Sequence, residues 1–167
     1  MKRLFIDMDG CIAQFHAKQN YLEEMYEEEF FKNLDPYRRI IFALKDFEIK
    51  HPEVQMCILS AYPNSPFAKK EKIEWLDRYF PIKNRIFLQA GENKSDYICG
   101  LSKDDYLLDD YTKNLIEWEE AGGKGIKVKN ELNCKNGVWK GEKIDLFDLP
   151  ADITQQIEEI LGIKGSL

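Results

Sequence analysis

The chain has 167 residues and a formal net charge of −6, from 24 Lys and Arg against 30 Asp and Glu. This is the length of one ordinary domain, and 44% apolar with 32% charged residues is a globular rather than a disordered composition. An acidic chain lacks the basic surface needed for general binding to nucleic acids or anionic membranes, and no apolar run approaches the roughly 18 residues of a membrane span.

The N-terminal start Met1-Lys2-Arg3 is basic, as in a signal peptide, but the apolar stretch that follows ends after three residues. The four cysteines form no C-x-x-C pair, which argues against a zinc ribbon or a redox motif and favours reduced thiols. With only His16 and His51 present, a multi-histidine metal site within one chain is excluded. We therefore expect a soluble cytoplasmic protein.

Short apolar runs that end in polar residues recur along the chain. They lie at residues 3–6, 54–59, 85–88 and 105–108, with a weaker fifth at 126–128. Such runs, bounded by turn signals, are typical of strands buried on both faces, as in a parallel sheet. Helical patterns occupy residues 69–80, residues 112–121, and a stretch from Asp152 or Thr154 to a closing Gly162. The alternation predicts an α/β domain, a three-layer Rossmann-like parallel sheet with right-handed crossovers.

Residues 17–50 interrupt this alternation. They predict one helix from Asn20 to Leu34 and a second that begins at Asp35-Pro36, where Asp suits the N-cap and Pro the first helical position. We interpret 17–50 as a small helical cap inserted after the first strand, with residues 1–16 and 51–167 forming the core. The stretch 130–150 predicts a loop or a small hairpin.

Six polar residues stand at or just beyond the carboxyl ends of the predicted strands: Asp7, Asp9, Ser60, Lys94, Asp109 and Asp110. In open α/β sheets this edge is where ligands bind. Four carboxylates on one edge would repel one another unless positive charge lies among them, which Lys94 and a divalent cation would supply. An all-oxygen site favours Mg²⁺, whereas Ser60 and Lys94 suit the oxygens of an anion. A divalent cation, side chains that bind an anion, and free carboxylates together indicate phosphoryl transfer.

The same residues resemble the four ordered motifs of the haloacid dehalogenase-like phosphatases. The motifs, which span roughly residues 3–120, are Asp7-Met8-Asp9-Gly10, then Ser60, then Lys94, then Asp109-Asp110. The short helical insertion after the first motif is similar to the small-cap layout of that superfamily. Within the superfamily, the stretch from Phe5 to Phe15 resembles the opening of the cytosolic 5′(3′)-deoxyribonucleotidases, and the stretch from Ile58 to Pro63 resembles their second motif.

The resemblance implies a role for each motif residue. Asp7 would be the nucleophile that forms an aspartyl-phosphate. Asp9 would protonate the leaving oxygen and then deprotonate the attacking water. Ser60, backbone N–H groups near Ala61, and Lys94 would bind the phosphoryl group.

The resemblance also implies a Mg²⁺ site and a base pocket. The carboxylate of Asp7, the carbonyl oxygen of Asp9 and the carboxylate of Asp109 would hold the ion, with Asp110 in support. Phe15 would line the base pocket. The nucleotidases usually carry a second hydroxyl residue where Ala61 stands, so this chain lacks that side-chain contact to phosphate or sugar and nucleotide preference is left open.

We expect a Mg²⁺-dependent phosphomonoesterase that hydrolyses 5′-(deoxy)ribonucleoside monophosphates, with a small-molecule nucleotide as partner and no nucleic acid polymer or membrane. A homodimer is compatible with the sequence. Two alternatives keep the fold: a phosphatase for another small phosphorylated metabolite, and a non-catalytic nucleotide- or phosphate-binding protein. Receiver domains of signalling proteins use similar residues, but their acidic pair comes first along the chain, whereas Asp109-Asp110 comes last here.

Overall fold

Six strands form one parallel sheet in the computed structural model of the protein, which describes residues 1–133 and 138–163. The strands are β1 (Arg3–Ile6), β2 (Gln55–Tyr62), β3 (Arg85–Gln89), β4 (Asp105–Asp109), β5 (Lys124–Lys129) and β6 (Glu142–Asp145). Their order across the sheet is β3-β2-β1-β4-β5-β6, and every pair of neighbours is parallel. The five strands predicted from apolar runs are confirmed.

The first strand lies in the middle of the sheet. Ile6 of β1 pairs with Ile58 of β2 on one side and with Leu108 of β4 on the other. From β1 the sheet continues through β2 to β3 in one direction and through β4 and β5 to β6 in the other. This reversal makes a topological switch point between β1 and β4, the usual place for a ligand in an open α/β sheet.

The helices are α1 (Tyr21–Glu24), α2 (Arg38–Lys50), α3 (Ala68–Tyr79), α4 (Thr112–Glu120) and α5 (Pro150–Leu161). Successive side chains of a strand point to opposite faces of the sheet, so β1 contributes to two cores. Leu4 and Ile6 belong to the larger core, which includes buried residues of α2, α3 and α5. Phe5 belongs to the smaller core, where its ring meets Trp118 of α4 edge-on with centroids 5.2 Å apart. The predicted three-layer α/β architecture is confirmed.

The helix predicted from Asn20 to Leu34 is wrong. Only Tyr21–Glu24 in this stretch is α-helical. The apolar residues that predicted the helix do not share one buried face, since Leu22 is 61% and Tyr26 47% exposed. Glu29 has a φ of 73°, a left-handed conformation that interrupts a right-handed helix. Packing against the rest of the protein therefore overrides the local helical preference of this stretch.

The second predicted helix forms, but α2 starts at Arg38 rather than at Asp35-Pro36. Its buried residues belong to the larger core, and its Ala43 carbonyl accepts a hydrogen bond from Thr154 Oγ1 of α5 (3.2 Å). Because α2 packs on the sheet as the crossover from β1 to β2, the predicted helical hairpin is wrong. The division of the chain into core and cap at residues 17 and 50 stays a prediction.

The stretch 130–150 does not form the predicted loop or hairpin, because β6 joins the sheet parallel to β5, with Val128 paired to Ile144. In this four-residue strand only Ile144 is buried, which leaves too weak a pattern to predict. Residues 134–137 of the stretch lie outside the described residues. α5 begins at Pro150, earlier than predicted, and closes as predicted at Gly162, whose φ is 62°. Among the described residues, no helix has the length and apolar character needed to cross a membrane.

Candidate active site

The polar residues of the predicted site meet at the carboxyl edge of the sheet, on both sides of the switch point. Asp7 and Asp9 follow β1, Ser60 lies near the end of β2, and Asp109 is the last residue of β4. Asp7, Ser60 and Asp109 are all buried. Because β1 lies between β2 and β4, this convergence follows directly from the strand order.

Lys94 reaches the site from the loop after β3. The chain turns at Gly91 (φ 96°), and Asn93 then accepts hydrogen bonds from the N–H and hydroxyl groups of Ser95, which fixes the short 3-10 helix that carries Lys94. The Lys94 ammonium lies 3.0 Å from Asp7 Oδ1 and 2.6 Å from Asp109 Oδ2. Burial lowers the pKa of Lys94, but these two carboxylates outweigh it and raise that pKa above its ordinary value.

Asp109 has both carboxylate oxygens occupied. Its Oδ1 accepts from the backbone N–H of Tyr111 (2.8 Å), and its Oδ2 accepts from Lys94 and from the Asn114 amide (2.8 Å). Both oxygens of Asp109 thus accept hydrogen bonds from the protein, and its predicted role as a direct metal ligand stays a prediction. Asp109 also holds the lysine against Asp7.

Asp110, to which the resemblance gives a supporting role, lies close to Asp7 and Cys11. One carboxylate oxygen of Asp110, one of Asp7 and the Cys11 sulfur lie within 4.8 Å of one another. Burial, together with the nearby charges of Asp109 and Asp7, raises the pKa of Asp110 well above its ordinary value. The carboxylate is held by Asn130, whose Nδ2 donates to Asp110 Oδ2 (2.9 Å).

Asn130 was not predicted as a site residue. Besides Asp110, its Nδ2 donates to the Gly10 carbonyl (3.0 Å), and its Oδ1 accepts from the backbone N–H groups of Leu132 and Asn133 (3.1 Å each). This fully buried amide thus joins the turn after β1 to the residue after β4. It lies in the connection after β5, where no apolar periodicity marks it.

The turn after β1 requires glycine at position 10. Gly10 has a φ of 73°, and a Cβ added there would lie 2.2 Å from Asp110 Oδ2 and 2.9 Å from His16 Cε1. The absence of a side chain therefore lets Asp110 close over the turn that carries Asp9.

Lys72 of α3 is the second site residue that sequence reasoning missed. Its fully buried ammonium donates to Asp9 Oδ2 (2.5 Å), Ser60 Oγ (3.1 Å) and the Ala61 carbonyl (2.7 Å). The buried residues of α3 are Ala68, Glu71, Lys72, Trp75 and Leu76. The sequence carried one signal for this site: Glu71 and Lys72 stand at helix positions that face the core. Lys and Glu are almost never fully buried without a partner, so such positions indicate buried polar contacts.

Asp9 keeps one free oxygen. Its Oδ2 is bound to Lys72, whereas its Oδ1 is buried without a hydrogen-bond partner among the described residues. Burial raises the pKa of Asp9, and the Lys72 charge opposes this.

Phe15, the predicted base-pocket residue, packs among other aromatic rings. Its ring meets those of Tyr21 and Phe30 edge-on, with centroids 5.0 and 5.7 Å away, and lies nearly parallel to Phe31 at 6.1 Å. Beside this cluster, a groove of about 640 Å³ is lined by residues that include Gln14, Tyr37, Arg38, Arg39 and Glu131.

The donor set fits a hard divalent cation. Carboxylate oxygens of Asp7 and Asp110 are ligands that Mg²⁺ prefers, whereas burial raises the pKa of the Cys11 thiol well above its ordinary value and keeps it a neutral, poor ligand. Burial, and after it the charges of Asp109 and Asp7, raise the pKa of Asp110, and a bound cation would favour its ionised form.

Two solved structures share this fold. The D,D-heptose 1,7-bisphosphate phosphatase from Burkholderia thailandensis matches with a TM-score of 0.62 at 12% identity, over 94% of this chain and 99% of the other. A haloacid dehalogenase (HAD)-superfamily hydrolase from Ehrlichia chaffeensis matches with a TM-score of 0.60, also at 12% identity, with the same coverage of 94% and 99%. No protein-family model and no curated protein sequence matches the chain. The fold class predicted from the sequence is thereby confirmed.

Proposed function

We propose that the protein is a Mg²⁺-dependent phosphomonoesterase that forms an aspartyl-phosphate on Asp7. The observation that carries this proposal is the Lys94 ammonium held between Asp7 and Asp109 at 3.0 and 2.6 Å, beside an Asp9 carboxylate with a free oxygen. A nucleophile beside a cation, with a second carboxylate two residues on, is the set of groups that phosphoryl transfer through a covalent enzyme intermediate requires.

The steps follow from these positions. A carboxylate oxygen of Asp7 attacks phosphorus, and the bond from phosphorus to the leaving oxygen breaks while Asp9 gives that oxygen a proton. Asp9 then takes a proton from water, which attacks the phosphorus of the aspartyl-phosphate and releases inorganic phosphate with Asp7 restored. Ser60 and Lys94 bind the phosphoryl oxygens and offset their charge.

Asp7, Asp110 and the backbone carbonyl of Asp9 would hold Mg²⁺, which neutralises charge on the transferring phosphoryl group when it is bound. This proposal reverses the roles that the resemblance implies for the acidic pair: Asp110 would serve as ligand, and Asp109 would support Lys94. The support for this is that both oxygens of Asp109 are already hydrogen-bonded.

The substrates we propose are 5′-nucleoside monophosphates, deoxy forms included. This rests on the resemblance of the stretch from Phe5 to Phe15 to the deoxyribonucleotidases. The leaving group would lie in the groove lined by Gln14, Tyr37 and Arg38, which adjoins the loop that carries Asp9.

A second candidate substrate class is another small phosphorylated metabolite, such as a sugar phosphate. It is favoured by the contacts of Phe15, whose half-buried ring packs against the rings of Tyr21, Phe30 and Phe31. The neighbour from Burkholderia thailandensis is named for a heptose bisphosphate.

The test is release of inorganic phosphate from a panel of nucleoside monophosphates and sugar phosphates, in Mg²⁺ and in EDTA. We expect release that needs Mg²⁺ and that falls by at least about 10³-fold in Asp7→Asn, because the amide cannot act as nucleophile. The matched control is Asp46→Asn, an exposed carboxylate on α2 that is paired with Lys50 and should keep the unaltered rate. Release concentrated on sugar phosphates would select the second substrate class, and no release from any ester would overturn the enzymatic function.

A further inference from the structure

Lys72 is a buried cation that the proposed chemistry does not yet use. It lies on α3, outside every motif of the sequence, and its side chain is fully buried. A lysine loses side-chain entropy and hydration when it is immobilised in the interior, so a fully buried ammonium needs strong partners. Its partners here are Asp9 and Ser60, the proposed acid–base and the proposed phosphate-binding hydroxyl.

The contacts of this ammonium dictate how both partners are oriented. An ammonium has three N–H donors and no acceptor, and Lys72 uses one on each of Asp9 Oδ2, Ser60 Oγ and the Ala61 carbonyl. Because Ser60 Oγ accepts from Lys72, its own hydrogen must point elsewhere, which leaves it free to donate to a phosphoryl oxygen. Because Oδ2 of Asp9 is taken, the unpartnered Oδ1 is the oxygen left to exchange a proton.

The surroundings of Lys72 keep it in place. The Phe31 ring covers the ammonium, with its centroid 4.7 Å from Nζ. On the same helix, Trp75 Nε1 donates to the Leu34 carbonyl (2.7 Å), and the Glu71 carboxylate accepts from the Phe31 N–H (3.0 Å). These contacts fix α3 to residues 31–34, and the buried Lys72 ammonium is held beside Asp9.

We propose that Lys72 is a positioning residue of the phosphoryl-transfer reaction, which sets the carboxylate of Asp9 and the hydroxyl of Ser60 in their working orientations. This inference rests on the proposed function. It assigns to α3 a part in the reaction that the sequence motifs do not indicate.

The test compares Lys72→Met, Asp9→Asn and the double variant by kcat/KM on two esters, an alkyl phosphate with a poor leaving group and an aryl phosphate with a good one. Only the poor leaving group needs a proton from Asp9 as the bond breaks. We expect the kcat/KM of Lys72→Met to fall by about 10–100-fold on the alkyl ester and by markedly less on the aryl ester, as for other residues that orient functional groups. The double variant should lose less than the product of the two single losses, because both changes remove the same function.

Two further variants separate positioning from charge and from folding. Lys72→Arg retains the positive charge but not the three-donor geometry of the ammonium. Its kcat/KM should also fall more on the alkyl ester than on the aryl ester. Lys70→Met, an exposed lysine on the same helix, should match the unaltered protein on both esters. Thermal melting of each variant shows that the rates refer to folded protein, and Lys72→Arg carries the test if Lys72→Met does not fold.

Three results would overturn the positioning role while leaving the phosphatase function intact. They are an equal fall in kcat/KM on the two esters, a fall in the double variant equal to the product of the single falls, and an unaltered kcat/KM in Lys72→Arg. If the unaltered protein hydrolyses neither ester, the proposed function fails first, and the role of Lys72 fails with it. The two failures are therefore distinguishable from the behaviour of the unaltered protein alone.

Discussion

Gly10 shows how one residue lets the two halves of the site approach each other. Its positive φ turns the chain after β1, and the missing side chain leaves space for the carboxylate of Asp110, which comes from the other side of the switch point. A Cβ at this position would lie 2.2 Å from Asp110 Oδ2, far inside van der Waals contact. The glycine therefore serves both the conformation of the turn and the close approach of a proposed metal ligand.

We predict that Gly10→Ala lowers both stability and activity. The left-handed conformation alone costs an alanine about 1–2 kcal/mol, and displacement of Asp110 adds a loss of metal-dependent turnover. The matched control is Gly100→Ala, where φ is 64° but nothing lies within 4 Å of the added Cβ, so that stability falls without loss of activity. Melting curves and phosphate release for both variants check this. Equal activities in the two variants would contradict the proposed packing of Asp110.

Apart from Lys94, which follows β3 by a few residues, the catalytic, metal and phosphate-binding side chains that the sequence predicted lie at or just beyond the ends of strands. Asp7, Asp9, Ser60 and Asp109 each stand at the end of an apolar run, and parallel strands bring such ends together. Lys72 and Asn130 could not be found this way, because they reach the site from a helix and from an irregular connection. The distinction between Asp109 and Asp110 also needed coordinates, since two adjacent carboxylates carry the same signal in sequence.

At the scale of elements, α3 joins the sheet edge to the irregular stretch between α1 and α2. The buried carboxylate of Glu71 accepts hydrogen bonds from the backbone N–H groups of Glu29 (2.6 Å), Phe31 (3.0 Å) and Lys32 (3.4 Å). Hydrogen bonds to a charged acceptor are stronger than neutral ones. In a helix these N–H groups would donate to backbone carbonyls of the preceding turn. Here they donate to the Glu71 carboxylate, which holds the stretch in its non-helical conformation.

We predict that Glu71→Gln destabilises the protein by about 1–3 kcal/mol, because an amide offers one acceptor oxygen instead of two and turns N–H donors toward the N–H groups of the stretch. Hydrogen exchange at the amides of Glu29 and Phe31 should speed up along with the fall in melting temperature. Glu74→Gln, an exposed change on the same helix that disturbs only the i,i+4 pair with Lys70, should leave both unchanged. Unaltered exchange at these two amides in Glu71→Gln would contradict the role of the carboxylate.

The same carboxylate explains why the helix predicted from Asn20 to Leu34 failed. The sequence has helical spacing of apolar residues there, but the backbone donors of residues 29–32 find partners on α3, a contact between segments about 40 residues apart. Local periodicity carries no information about such a partner. By contrast, the helix over residues 69–80 was predicted nearly to its bounds, because α3 (Ala68–Tyr79) packs along one side of the core.

At the scale of the whole molecule, the alternation of strands and helices was enough to predict the class of fold and the edge of the sheet where the site lies. It was not enough to place β6, whose four residues bury a single side chain, or to show that α2 packs on the sheet. The place of β6 depends on its pairing with β5, and the place of α2 depends on its packing against α5. The likeness to two solved structures at 12% identity shows that this fold does not require close similarity of overall sequence.

The central claim is that Asp7 becomes phosphorylated during turnover. The most direct measurement is to mix the protein with a hydrolysed ester and Mg²⁺, quench in acid, and treat with borohydride, which reduces an aspartyl-phosphate to homoserine. Peptide mass spectrometry should then find homoserine at position 7 in the unaltered protein and none in Asp7→Asn. Phosphate release by the unaltered protein with Asp7 left unmodified, or with modification at another residue, would contradict the account.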